Sequence, residues 1–149
     1  MALVEDVPER DTMLHGDYHT NNIVMQNNEV LIIDMDTLSV GHPIFELASM
    51  YLAFVAFGEV DPGVTLSFLK LSRKTAVLFW KKALAKYLGT RDGEAIRAVE
   101  EKAMVIGYAR LMRRTIRRSG LNTEEGRANI ELCRTRLADL LSRVDTLLF

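Results

Sequence analysis

The sequence predicts an α+β fold in which helix dominates, and three observations carry that reading. Up to about Asp36 the apolar residues fall in short runs rich in β-branched types, the pattern of strands. After Gly41 they recur at steps of three and four through four long segments, the pattern of helices that pack by one face. The 149 residues, 48% of them apolar, suffice for one domain that closes its core without disulfides. Residues 1–149 are therefore expected to form a single domain, a small antiparallel hairpin packed on about four helices.

Met13-Leu14, just before His15-Gly16, reads as a short strand entering a loop. Ile23-Val24-Met25 and Val30-Leu31-Ile32-Ile33 are joined by Gln26-Asn27-Asn28-Glu29, and because asparagine tolerates positive φ the pair predicts a β-hairpin. Pro43 suits a first helical turn, where its missing N–H would have had no intrahelical partner. The helix from about Pro43 to Phe57 is apolar nearly all round and is expected to be the buried central one. A second is expected over roughly Val64 to Leu88, with Lys81, Lys82 and Lys86 in its last turns and Gly89 as its stop. Phe79, Trp80 and Tyr87 lie at helical spacing within it and read as core. A third helix runs from about Asp92 to Arg118 and ends at Gly120. The fourth starts at Asn122 or Thr123, with Glu125 placed like the second half of a capping box. Its apolar face carries Ile130, Cys133, Leu137, Leu140, Val144 and Leu147.

A net charge of −1 and a mean hydropathy of +0.04 are ordinary for a globular chain, yet the charge is unevenly placed. Residues 1–69 hold eleven acids against Arg10 alone, whereas residues 70–118 hold fourteen bases against Asp92, Glu94, Glu100 and Glu101. Such halves either pack with complementary potentials or divide the work, one holding cations and the other attracting anions. Arg110, Arg113, Arg114, Arg117 and Arg118 read as a solvated helix end favoured by the dipole. An anion or nucleic-acid patch is the sharper alternative, although a nucleic-acid partner is not expected. The single Cys133 can form neither an intramolecular disulfide nor a thiolate metal site. The longest strongly apolar stretch, Leu47 to Phe57, is about half of the ~20 residues that span a bilayer, and the N-terminus has no basic leader region. No membrane partner and a cytoplasmic location are the resulting expectations.

The residues that carry chemistry lie in Leu14-His15-Gly16-Asp17-Tyr18-His19-Thr20-Asn21-Asn22-Ile23-Val24 and in Leu31-Ile32-Ile33-Asp34-Met35-Asp36. An aspartate five residues before an asparagine on a loop between strands, with a second aspartate at the end of the next hairpin, is an arrangement that phosphoryl transfer needs. That chemistry spreads charge over the oxygens of the transferred group, so the protein must hold Mg²⁺ and position the acceptor hydroxyl. A hard cation takes oxygen ligands, which a carboxylate and a carboxamide supply. Asp17 is the candidate acceptor of the hydroxyl proton, and Asn22 with Asp34 the candidate metal ligands. His15 reads as a structural histidine bracing the loop, His19 as either a brace or a contact to substrate or phosphate. Asp36 reads as the cap of the turn after the hairpin or a neighbour of the metal. A metallohydrolase built on His15, Asp17 and His19 would have only His42 to complete it, too few ligands for a dinuclear site.

His15-Gly16-Asp17 through Asn22, followed by Ile33-Asp34, resembles the aminoglycoside phosphotransferase and choline kinase family, which shares the protein-kinase fold. Gly41-His42-Pro43-Ile44-Phe45-Glu46-Leu47-Ala48 continues the resemblance, with His42 and Glu46 standing where the family commonly has aspartates. The resemblance spans about Leu14 to Tyr51. It implies a kinase-like C-terminal lobe and an ATP- and Mg²⁺-dependent transfer of a phosphoryl group to a hydroxyl of a small molecule, with Glu46 bracing the catalytic loop. Kinases of this fold also use an N-terminal lobe with a glycine-rich strand pair and a strand lysine. No Gly-x-Gly-x-x-Gly occurs here and no lysine precedes Lys70, so the chain is expected to be the C-terminal lobe alone and inactive in isolation. The family's later helices help form the acceptor pocket, and their basic character here implies an acceptor that is not a polycation. Surface left uncovered by the absent elements implies self-association, most simply as a homodimer. The alternative from a different class is a catalytically incomplete lobe that serves as a binding or assembly module.

Overall fold

The computed structural model describes residues 2–149, and it is a mostly helical α+β domain carrying two small antiparallel sheets. A short helix α1 (Ala2–Glu5) precedes strand β1 (Thr12–Leu14). Strands β2 (Ile23–Gln26) and β3 (Glu29–Ile32) form the expected hairpin, with Ile23 opposite Ile32 and Gln26 opposite Glu29. Asn27 and Asn28 occupy its turn at φ 50° and 64°, the left-handed pair whose twist matches that of the flanking strands. Strand β4 (Ser39–Gly41), which the sequence did not announce, pairs with β1 so that Thr12 faces Gly41 and Leu14 faces Ser39. This outer pair closes the chain on itself, so residues 15–38 leave and return at one point.

Helix α2 (Ile44–Tyr51) continues through a π-helical segment, Leu52–Ala56, into α3 (Phe57–Val60). The expected central helix is thus present and ends three residues later, at Val60. It is also buried, with Ile44, Ala48, Phe54 and Ala56 fully enclosed. The expected single helix over Val64 to Leu88 is instead two: α4 (Val64–Ser67) and α5 (Arg73–Leu88). Lys70 turns into the left-handed region at φ 59°, and Ser72 Oγ accepts the Thr75 N–H at 3.1 Å as a fresh cap. The break tucks Leu69 into the core at 1% exposure. Gly89, at φ 64°, stops α5 as its lack of a side chain suggests.

Helix α6 (Gly93–Arg117) begins at Asp92, whose carboxylate caps the Glu94 N–H at 2.9 Å. Helix α7 (Glu124–Leu141) begins at Thr123, which accepts the Gly126 N–H at 3.0 Å. No capping box forms, because the third helical residue after Thr123 is Gly126 and Glu125 lies one position too early. Along the α7 face and the tail beyond it, Cys133, Leu140, Val144 and Leu147 are buried. Burial pushes the Cys133 thiol up to about 11, which leaves it protonated and unreactive at neutral pH. Trp80 is fully enclosed and its indole N–H donates to Glu100 at 2.7 Å. Phe79 stacks on Phe54 with ring centroids 4.6 Å apart. Tyr87, read as core, is instead 55% exposed, because it falls on the outer face of the last turns of α5.

The contact between α2 and α6 centres on polar groups inside the core. Tyr51 donates its hydroxyl proton to Tyr108 Oη at 3.0 Å, and Tyr108 donates in turn to Glu59 at 2.7 Å. Each phenol has one proton to give, so the acid at the end of the row sets its direction. Gly107 lets the Tyr51 ring approach, for a Cβ there would stand 3.0 Å from Cδ1 of that ring. Among the described residues no helix is long and apolar enough to cross a membrane.

The tightest of the glycine positions is at the α6–α7 connection, where a Cβ on Gly126 would lie 2.3 Å from the Gly120 carbonyl oxygen. Gly126→Ala must therefore spread the two segments, and the expected loss is about 1–3 kcal/mol in line with overpacked sites. Urea unfolding of the two proteins measures it. Equal midpoints and slopes would show that the crossing is looser than described.

Candidate functional site

The segment from His15 to Asn22 connects β1 to β2 and ends in a single turn of 3-10 helix, Thr20–Asn22. Its polar backbone has to be satisfied by side chains, and these arrive from well separated parts of the sequence. Gly16, at φ 80°, donates its N–H to Glu46 Oε2 at 2.7 Å. A Cβ on Gly16 would stand 3.0 Å from the Thr37 carbonyl oxygen, so both the backbone angle and the space require glycine. Thr37 Oγ1 donates to the His15 carbonyl at 2.6 Å. The His15 ring is spanned by two bonds: Nε2 to the Ile33 carbonyl at 3.0 Å, and Nδ1 to the Asp17 N–H at 3.3 Å. Together they fix the tautomer, with the proton on Nε2 and a bare Nδ1 that accepts.

Asp17, His19 and Asn22 come together. The Asn22 amide donates through Nδ2 to the Asp17 carbonyl at 3.0 Å, and its own backbone N–H donates to the His19 carbonyl at 3.0 Å. His19 Nε2 lies 3.3 Å from Asp17 Oδ2 and 3.5 Å from Asn22 Nδ2. Only the Asn22 contact has hydrogen-bond geometry, whereas the Asp17 carboxylate lies beside the ring at ion-pair distance. That ring is buried, set edge-on against Phe68 at 4.7 Å, and its Nδ1 has no partner. The Asp17 carboxylate remains open, its side chain 57% exposed.

Asp34 joins this group through the backbone. Ile33 donates its N–H to the Asn22 carbonyl at 2.9 Å while its own carbonyl accepts from His15. The peptide on either side of Ile33 is therefore pinned, and Asp34 follows it in the left-handed region at φ 64° with an exposed side chain. Asp36 does not cap the turn after the hairpin. It lies inside the 3-10 helix Met35–Thr37, and the residue at the capping position is Asp34, which makes no side-chain cap bond. Glu46 holds the loop as its position implied. The extra methylene relative to aspartate does not prevent it, because α2 begins close enough beneath Gly16 for Oε2 to reach. His42 takes the Ile44 N–H on Nδ1 at 3.2 Å and sets its ring edge-on to Phe149. Burial, with help from Arg10, pushes its pKa down, so it is a neutral structural histidine.

The donors fit a hard cation in kind. The Asn22 Nδ2 is committed to Asp17 while its Oδ1 takes no protein hydrogen bond among the described residues, and Asp34 presents a free carboxylate. Among the described residues there is no cluster of three or more His, Cys, Asp or Glu side chains that could hold a metal ion. The available set is therefore one amide and one carboxylate, with the remaining positions left to water or substrate oxygens, as Mg²⁺ usually prefers.

Two contributions escaped the sequence reading. The carbonyls of Phe68 and Leu69, freed by the break before α5, accept from Asn21 Nδ2 at 3.0 Å and from Thr20 Oγ1 at 2.7 Å. A continuous helix would have used those carbonyls internally. The second is a cleft of about 500 Å³ in whose wall Asp17 and His19 meet Phe57, Arg110, Arg114 and Arg118. The arginines recur every four residues and so share one face of α6 and its end. That spacing was the available signal, whereas the solvated helix end read from composition describes Arg113 and Arg117 better.

Residues 2–71 match the model of the phosphotransferase enzyme family. The match supports membership of the aminoglycoside phosphotransferase family and covers only part of the chain. Comparison with curated proteins finds no significant match, and comparison with solved structures finds none.

Glu46→Ala removes the acceptor for the Gly16 N–H. Amide exchange at Gly16 is expected to quicken well beyond any change in the core of α6, with a global loss of about 1–2 kcal/mol for the orphaned donor. Hydrogen exchange followed residue by residue tests this, and unchanged protection at Gly16 would show that another group holds the loop.

Proposed function

We propose, taking the family match over residues 2–71 as premise, that this chain is the kinase-like C-terminal lobe of an ATP- and Mg²⁺-dependent phosphotransferase that acts on a hydroxyl of a small molecule. The observation that carries the reading is the grip on Asp17: its backbone is held by Asn22, its carboxylate is met by His19, and it opens on a cleft large enough for a metabolite. In this reading Asp17 orients the acceptor hydroxyl and takes its proton as the phosphoryl group transfers. His19 lies against the carboxylate and aims it. Asn22 Oδ1 and Asp34 hold Mg²⁺, which when bound neutralises charge on the phosphate oxygens. His15, Thr37 and Glu46 fix the loop so that little reorganisation accompanies the reaction. The location is cytoplasmic, and the acceptor is not a polycation, since three arginines share the cleft with Asp17.

The glycine-rich cover and strand lysine of such enzymes do not occur in this sequence, and terms of that kind are each worth several kcal/mol of barrier. The isolated 149-residue chain should therefore turn over ATP negligibly. Asp34→Ala should abolish Mg²⁺-nucleotide binding, whereas Asp17→Ala should retain it and lower kcat about 10²–10⁴-fold in an active assembly. Titration of Mg²⁺-nucleotide against both variants decides the roles, and an equal loss of affinity in the two would overturn them.

A second copy of the chain is the proposed cover for the outer faces of the two sheets. Met13 and Val40 on one pair and Met25 and Val30 on the other are 61–72% exposed, and open apolar residues on short strand pairs suit an interface. Light scattering at micromolar concentration should give twice 16.9 kDa, and Met25→Lys with Val40→Lys should restore the monomer. A wild-type monomer mass would refute the dimer.

A further inference from the structure

The arginines of the cleft are more numerous and less compensated than a helix end requires. Helix dipoles favour cations only in the last turn, and Arg110 lies outside it, since α6 ends at Arg117. Arg110 is tied down, donating to the Phe45 carbonyl at 3.3 Å and to Ser49 Oγ. Arg114 lies over the Phe57 ring, 5.1 Å from its centroid, which leaves its N–H edge free. Among the described residues none of Arg110, Arg114 and Arg118 forms an ion pair with a carboxylate. Two acids share the cleft wall with them, Asp17 and Asp61. Asp61 already accepts the Gly63 N–H at 2.9 Å within its own turn. Arg113 and Arg117 line an adjoining hollow of about 460 Å³ together with the other three, so the positive potential extends past the cleft. Like charges four apart on a helix repel, and the row is offset only at a distance, Arg114 by Asp17 and Arg110 by Glu46, with no direct ion pair.

We infer that the small molecule whose hydroxyl faces Asp17 carries an oxyanion, a phosphate or a carboxylate, and that Arg114 and Arg118 bind this group with Arg110 bracing the row from behind. The inference rests on the phosphotransferase reading for the word acceptor, but the anion site itself does not. Planar guanidinium groups take oxyanions in paired hydrogen bonds, and a row fixed by an aromatic face and a helix surrenders little side-chain freedom on binding. The carboxylate of Asp17 nearby gives the site its polarity: an anion is drawn to the arginine end, and the neutral hydroxyl of the same molecule is left for the acid.

The probe is inorganic phosphate, titrated into the full chain at low ionic strength and followed by amide NMR shifts. Saturable binding is expected, with shifts in residues 16–19 and in the last turns of α6. Arg114→Gln and Arg118→Gln, both on exposed positions that the fold tolerates, should each weaken it about tenfold. Arg97→Gln, on the same helix but away from the cleft, should leave it unchanged. Affinity should be the same in EDTA as in Mg²⁺. Binding that needs Mg²⁺ would assign the anion to the metal and nucleotide side and overturn the inference. So would the absence of saturation, or equal binding by Arg114→Gln and the wild type. Phosphate binding involves no turnover, so a chain that binds phosphate in this way while Asp34→Ala leaves its Mg²⁺-nucleotide binding intact would remove the phosphotransferase reading and leave the oxyanion site standing.

Discussion

The satisfaction of one irregular stretch of backbone, residues 15–22, shapes much of what surrounds it. A loop that is neither ladder nor helix for most of its length exposes N–H and C=O groups that nothing local can pair. Here Glu46 from α2, Thr37 from the turn before β4 and the carbonyls of Ile33, Phe68 and Leu69 all bond into it. The pairing of β1 with β4 brings the 37–39 region to the loop's root. The start of α2 directly after β4 does the same for Glu46. The geometry at Asp17 is thus a property of several elements at once, which is how a loop keeps a fixed shape without regular structure.

The same accounting explains why the chain breaks between α4 and α5. Phe68-Leu69-Lys70-Leu71 has the apolar spacing of a helix, and by propensity alone the helix would run through. Breaking it forfeits a few intrahelical bonds, but it frees two carbonyls for Thr20 and Asn21, buries Leu69, and sets Phe68 against His19. A new cap at Ser72 recovers part of the loss. Tertiary demand here outweighs local preference, as helix propensities of a few tenths of a kcal/mol per residue allow.

What could be read from the sequence follows the reach of the interactions. Asn27-Asn28, Gly89 and Asp92 act within one turn, so the hairpin and the helix ends around them were legible. Asp17, Asn22 and Asp34 stood out as candidates through their spacing along the chain, and the structure brings the first two together. The strand Ser39–Gly41 was not legible, since three residues have no period and their partner lies 27 positions back. Glu125 was misjudged because a capping box depends on an offset of one residue, and Thr123 rather than Asn122 takes the cap. The arginine row was visible as charge, but the side of α6 that turns toward Asp17 is set by the packing of Tyr51 on Gly107 and its bond to Tyr108, contacts more than fifty residues apart in sequence.

The π-helical segment Leu52–Ala56 has a consequence for how this helix divides its surface. One extra residue in a turn rotates everything beyond it by about 100° relative to an uninterrupted α-helix. Before the insertion, Ile44, Leu47, Ala48 and Tyr51 point into the core. The cleft side of the same rod runs through the segment, with Ser49 before it, Leu52 and Ala53 within it and Phe57 and Val60 beyond it, while Gly58 faces inward. The widened turn sets the phase in which these two sides continue, so that a single rod is foundation on one side and wall on the other. Counting residues therefore matters more than their identity in this stretch: a lineage that lost one position between 52 and 56 would keep every other side chain and still turn Phe57 away from the arginines.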